Sequence, residues 1–335
     1  MRRIRRLLIR LVALVFFVCS PLAAQNTDLR ILFSSRVYQR VGRSYEQLWE
    51  IGLRDKQKMR LSAAGIRHAQ PLCSLDGQSV VFLSGGNEGS NDEVWSLNPN
   101  GQERLLYKAR AGVYVDVTLG WSADGSGLFL SMREQRARVI AKLAIPSGRL
   151  VRMPEGSIPI IGPDGRRIEI KVGAEARMIG KRKLPAWSPD GEKVAYVDGD
   201  FTQLQITGVK DESVLASIRL PDRAEHWNYP TSMAWSPDGK ILLVGAEAGS
   251  STAHYEDYWL LDWTSQKWQY AGGGNDAKWS PDGSKIVWST PRELAAFGRT
   301  HVWVAHLVLV DVRTLQQEIL TSGISYESDF SWCRR

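Results

Sequence analysis

The sequence predicts an all-β fold, a β-propeller of four-stranded antiparallel blades, and three observations predict it. One turn motif recurs along the chain. Each copy is followed by strand-like runs in the same order, and the two chain ends carry complementary parts of the same unit. The motif reads Trp187-Ser188-Pro189-Asp190-Gly191, Trp235-Ser236-Pro237-Asp238-Gly239 and Trp279-Ser280-Pro281-Asp282-Gly283. A near copy is Trp121-Ser122-Ala123-Asp124-Gly125. Weaker copies are Cys73-Ser74-Leu75-Asp76-Gly77 and Ile161-Gly162-Pro163-Asp164-Gly165.

Each part of the unit has a physical reason. Pro presets φ for the first corner of a type I turn, Asp suits the second, and Gly accepts the left-handed position that follows. The apolar runs after the motif, at 80–83, 128–130, 194–197, 241–244 and 286–288, read as buried second strands. Third strands follow at 93–98, 139–145, 203–207, 258–262 and 306–312, and fourth strands at 104–108, 214–220 and 316–320. Four antiparallel strands per repeat is the pattern of a propeller blade. Motif starts at 73, 121, 187, 235 and 279 leave gaps of 48, 66, 48 and 44 residues.

The ends complete one another. Ile31-Leu32-Phe33-Ser34 matches a second strand that has no first strand before it, and Asp329-Phe330-Ser331-Trp332 matches a first strand whose unit then stops. Pairing of the C-terminal with the N-terminal strand would close a ring and remove exposed edges. The count is six blades, or seven if segment 158–183 is an eroded blade rather than an inserted hairpin. The 26 residues from Ile161 to Trp187 are short for four strands. That segment is basic (Arg166, Arg167, Lys171, Arg177, Lys181, Arg182, Lys183), which reads as solvated surface or as a docking patch for an acidic partner.

Residues 1–24 read as an export signal. Arg2, Arg3, Arg5, Arg6 and Arg10 precede an apolar run at 11–19 and a small-residue end, Ser20-Pro21-Leu22-Ala23-Ala24. The run is too short to span a bilayer core. A retained anchor is the alternative, because Leu22 is large for its place before the cut. Val18 argues against a lipoprotein signal at Cys19. Five of the 43 Lys and Arg lie in this segment and none of the 36 acids, so the remainder carries a charge of +2. That excludes a globally basic nucleic-acid binder. The expected location is periplasmic or extracellular, with residues 25–335 as one propeller domain and no further membrane-spanning stretch.

The repeats resemble those of the TolB-like propeller family (WD40-like, PD40 repeats), whose units carry a Trp-Ser-Pro-Asp-Gly turn before an apolar strand. The resemblance covers nearly all of the chain after residue 24 and implies the fold more than a function. A role in the Tol–Pal envelope system is not expected, because TolB has a separate N-terminal domain before its repeats, whereas strand-like repeat sequence here begins within about ten residues of the expected cleavage site. Prolyl-family oligopeptidases carry related propellers joined to an α/β-hydrolase domain, but the Gly-x-Ser-x-Gly elbow is absent from this sequence.

The repeated Trp121, Trp187, Trp235, Trp279 and Trp332, with Asp190, Asp238 and Asp282, are read as structural: indoles wedged between blades and carboxylates capping turns. In antiparallel blades the first-to-second and third-to-fourth turns share one end. The longer connections, at 35–46, 85–92, 221–231, 246–257 and 290–301, share the other. Irregular loops on a rigid scaffold carry function. The candidate binding residues are therefore His226, Trp227, Tyr229, His254, Tyr255, Asp257, Arg292, Arg299 and His301, side chains of the kind that dominate binding hot spots. Cys73 takes the Trp position of its motif and Cys333 lies one beyond, so the two point to opposite faces of their strands; two buried thiols are expected, with a disulfide as the alternative.

No His-Glu-x-x-His or Cys-x-x-Cys is present, so no cofactor and no metal are expected. The favoured function is an exported binding or scaffold propeller whose partner is a protein, peptide or cell-envelope glycan. One alternative is a metal-assisted hydrolase or lactonase at the channel mouth, with Glu225, Asn228, Asp257, Asn275 and Asp276 as candidate ligands. Another is a component that works only beside a separate membrane or enzyme partner.

Overall fold

The computed structural model describes residues 28–40, 43–62, 68–85, 91–122, 124–135, 137–153, 158–161, 167–170, 183–198, 202–221, 230–248, 255–296 and 300–334. Its regular elements are all strands. The first unit has β1 (Leu29–Arg40), β2 (Arg43–Gly52) and β3 (Lys58–Arg60). The second has β4 (His68–Cys73), β5 (Val80–Ser84), β6 (Glu93–Leu97) and β7 (Glu103–Lys108). The third has β8 (Val113–Trp121), β9 (Gly127–Glu134), β10 (Ala137–Ala144) and β11 (Leu150–Arg152). A separate two-stranded sheet follows, β12 (Ile158–Ile161) with β13 (Arg167–Ile170). The fourth unit is β14 (Lys183–Trp187), β15 (Lys193–Val197), β16 (Gln203–Gly208) and β17 (Val214–Arg219). The fifth is β18 (Pro230–Trp235), β19 (Ile241–Ala248), β20 (Tyr255–Asp262) and the start of β21 (Lys267–Trp279). The end of β21 opens the sixth, with β22 (Lys285–Ala296), β23 (Thr300–Asp311) and β24 (Gln317–Ile319). The last strand, β25 (Ser325–Arg334), pairs with β1 from Leu29↔Arg334 to Val37↔Ser325 and gives the first unit its fourth strand.

The motif builds the same turn five times. The Gly amide donates to the Ser carbonyl at 2.8–2.9 Å, with Gly77, Gly125, Gly191, Gly239 and Gly283 at φ of 68° to 72°. That left-handed conformation is why Gly ends the motif. The Ser hydroxyl accepts the amide five residues on, at 2.9 Å in all five copies. The Asp carboxylate accepts that hydroxyl and the amide two residues on, at 3.0–3.2 Å. Hydrogen bonds to an ionised acceptor favour the charged form. Asp76 is lowered mainly by the Ser74 hydroxyl. Burial pulls Asp190 up, but Lys193, Ser188 and the Glu192 amide bring it down to about 2.

Between sheets the motif position points back toward the preceding unit. The indole N–H of Trp235 donates to the Ala186 carbonyl at 2.9 Å, that of Trp279 to Ala234 at 3.1 Å, that of Trp332 to Lys278 at 3.3 Å and that of Trp121 to Cys73 at 2.7 Å. Apolar clusters join neighbouring units: Trp235 packs with Val197, Ile206 and Leu242, and Trp279 with Leu243, Tyr258 and Ile286. One long strand serves two sheets. β21 pairs with β20 up to Gly274 and with β22 from Asn275. The Gly272-Gly273-Gly274 run allows this, because a Cβ on Gly274 would lie 2.3 Å from Cδ1 of the fully buried Trp288.

Two expectations are corrected. Cys73 and Cys333 are not free thiols but form a disulfide, with Cα atoms 5.3 Å apart. The reason lies in the direction just described. Cys73, in the motif position, points back toward the first unit, while Cys333, one beyond Trp332, points forward toward the second. Opposite faces of two strands in neighbouring sheets are the two sides of one interface. The second correction concerns the long connections. Segments 35–46 and 290–301 are largely paired strand: β1–β2 runs to Arg40↔Arg43 and β22–β23 to Ala296↔Thr300. Val37, Tyr38, Tyr45, Val302 and Trp303 have the β-branched and aromatic side chains that favour a ladder. Pro291 is tolerated because β21 reaches only Ser289, so no ladder partner is denied an N–H.

Candidate functional site

The two ends of the sheets are built differently. One end carries the repeated Asp-Gly turns. The other carries the hairpins β1–β2, β9–β10, β19–β20 and β22–β23; β22–β23 projects, since β21 pairs only as far as Ser289 while β22 and β23 pair on to Ala296↔Thr300. His226, Trp227, Tyr229, His254 and Arg299, together with Glu225 and Asn228, lie outside the described residues.

Tyr255 and Asp257 share a face of β20, as alternate residues of a strand do. Asp257 is buried and accepts a hydrogen bond from the Tyr270 hydroxyl at 2.9 Å. Burial, reinforced by Asp257, pushes the Tyr270 phenol up to about 12. Glu256 accepts from the hydroxyls of Tyr258 and Thr231. The acidic groups of this stretch are thus engaged in internal hydrogen bonds.

Arg292 and His301 stand on the β22–β23 hairpin but are not brought together. Directly paired residues share a face, so His301 lies with Glu293 and Trp303, and Arg292 lies with Val304 on the other side. His301 Nδ1 is 3.1 Å from Glu293 Oε1 at an exposed position. Asp276, named as a possible metal ligand, sits at a bulge of β21 with φ of 59°, and Asn275 pairs with Ser289. Among the described residues no three His, Cys, Asp or Glu side chains converge as a metal site would require.

Sequence reasoning missed three features. Trp303 is a large aromatic exposed on the projecting hairpin; its alternation with Val302 and Val304 was the available signal. His306 and Glu327, both buried, meet at 3.3 Å between the sixth and first units, where Lys58 at 3.2 Å and Ser325 at 2.8 Å also reach Glu327. Finally, an open cavity of about 400 Å³ is lined by Asp116, Val117, Arg133 and Arg138 at the β9–β10 end. Nothing local in the sequence marks it, since Asp116 comes from a neighbouring strand.

No family model matches the chain. A stretch of 100 residues is 34% identical to dipeptidyl-peptidase 5 of Aspergillus fumigatus, covering 28% of this chain and 12% of that protein. The structure resembles TolB from Acinetobacter baumannii with a TM-score of 0.57 at 14% identity, over 91% of this chain and 66% of that one. It also resembles a Bacteroides fragilis protein proposed to be a 6-phosphogluconolactonase, with a TM-score of 0.51 at 13% identity, over 92% and 99% of the two chains. The chain therefore spans about an eighth of the curated relative and two thirds of the TolB chain. These likenesses define the class as all-β and propeller-like. The fold itself is TolB-like.

Proposed function

We propose that the chain is an exported binding propeller. Residues 1–24 are its signal and residues 25–335 one domain of six blades, with 158–183 as an insert and the ring closed by β25 against β1. It holds a protein, peptide or glycan partner on the end that carries the projecting β22–β23 hairpin. The observation that carries this reading is the asymmetry of the two ends: one repeats a single self-satisfied turn, while the other extends the β22–β23 hairpin past its sheet with Trp303, His301 and Glu293 exposed on it. The Cys73–Cys333 disulfide supports export, because such bonds persist in oxidising compartments.

The test is in vivo crosslinking of the tagged protein, followed by capture, for wild type and for a variant whose β22–β23 tip is replaced by a tight turn. Loss of a specific crosslinked species in the variant, with its near-UV circular dichroism unchanged, supports the reading. Capture indifferent to the hairpins counts against it. Fractionation that leaves the protein in the cytoplasm refutes export. The hydrolase alternative predicts a divalent-cation shift in thermal unfolding that mutation of Asp276 abolishes.

A further inference from the structure

We infer that the hairpin end of units one to three binds an acidic peptide segment of a partner protein, with the Arg133–Arg138 cavity as the seat for one carboxylate side chain. This rests on the binding reading above and gives it a ligand chemistry. Two observations carry it.

The ion pairs at the hairpin end of these units share one sense. At the hairpin end the cation is outermost: Arg36 is 49% exposed and Glu46 15%, Lys108 61% and Glu93 18%, Arg133 61% and Asp116 23%. Arg152, bridged to Glu134, follows the same rule. At the turn end the pairs are mixed: Lys193 is 18% exposed against 47% for Asp190, but Lys240 is 77% against 56% for Asp238. Carboxylates tucked beneath their cations orient the guanidiniums without covering them, so an approaching ligand meets positive charge first. Such complementarity governs encounter and partner choice.

The second observation is local. Arg133 and Arg138 are direct partners across β9 and β10. Like charges directly opposite are destabilising in a sheet. Asp116 neutralises one, 2.9 Å from Arg133. The hydrogen-bond partner of Arg138 is the neutral Ser131 hydroxyl, at 2.7 Å. One negative charge is left for a ligand to supply, and the cavity opens beside both guanidiniums. Their planar forks suit a carboxylate. The apolar share of the surface selects the class. Val117 lines the cavity and Tyr114, paired with Arg133, is exposed, so the ligand offers apolar as well as anionic groups. An acidic peptide does so.

The test is fluorescence anisotropy with the purified, disulfide-intact protein and a short labelled peptide of alternating Glu and Leu. Saturable binding is expected, absent for the Gln/Leu analogue. It should weaken about tenfold or more in Arg133→Gln/Arg138→Gln and be largely retained in Arg133→Lys/Arg138→Lys. If near-UV circular dichroism shows the Gln pair misfolded, a salt titration of wild type decides, since binding must fall steeply with ionic strength. No binding, equal binding of the Gln/Leu peptide, salt-independent binding, or an unweakened Gln pair overturns the inference. So does arginine-dependent binding of alginate with none of the peptide. Hairpin-dependent capture without peptide binding defeats this inference alone; arginine-dependent peptide binding supports it whatever the capture experiment gives.

Discussion

Between the fourth and fifth units an indole occupies the repeat position that a disulfide occupies between the second unit and the first. Trp235 lies back against the fourth unit and donates to the Ala186 carbonyl. Cys73, in the equivalent place, reaches back and is bonded to Cys333, 260 residues away in sequence. The same direction of side chain serves both. The difference is where the partner strand comes from. The fourth and fifth units are consecutive in the chain, whereas the strand that meets β4 is the C-terminal one. A covalent link removes the most conformational freedom from the unfolded chain where the loop it closes is longest.

Breaking each interface tests this. Trp235→Ala removes a buried indole and its hydrogen bond and should cost about 3–5 kcal/mol, seen as a lower denaturant midpoint. Cys73→Ala with Cys333→Ala should cost about 2–4 kcal/mol in the same measurement. Mild reduction should reproduce that loss in wild type but not in the double variant. Asp238→Ala, which frees the Ser236 hydroxyl and the Lys240 amide, should cost about 1 kcal/mol. Acid sharpens the turn side of the comparison. Asp190 is depressed from 3.8 to about 2, so its contribution is present above about pH 4 and lost as pH falls toward 2. Thermal midpoints should decline through that window, less steeply in Asp190→Asn. The smallest effect belongs to the other end: Trp303→Ala should change stability by less than ~0.5 kcal/mol while weakening partner capture.

The turn end was readable because its physics is local. Pro, Asp and Gly act within five residues, and five copies repeat the signal. The hairpin end was readable only as a location. Strand boundaries were drawn at apolar runs, which stopped β22 and β1 short of their polar extensions. Arg292 and His301 looked like one cluster because they are near in sequence, yet the pairing of Ala295 with His301 puts them on opposite faces. The disulfide was misread by considering each strand's faces alone rather than the interface between two sheets. The Arg133–Arg138 cavity could not be read at all, since it depends on the register of β9 with β10 and on the approach of β8.

By itself the sequence determined the strand order within each unit, the motif turns and the complementarity of the two ends, because turn propensity and apolar period are properties of short stretches. Only the tertiary structure decided that Cys73 meets Cys333, that β21 serves two sheets and that Arg133 and Arg138 stand side by side with one carboxylate between them. Those outcomes depend on distances between segments far apart in the chain, which packing and register set and no local pattern encodes.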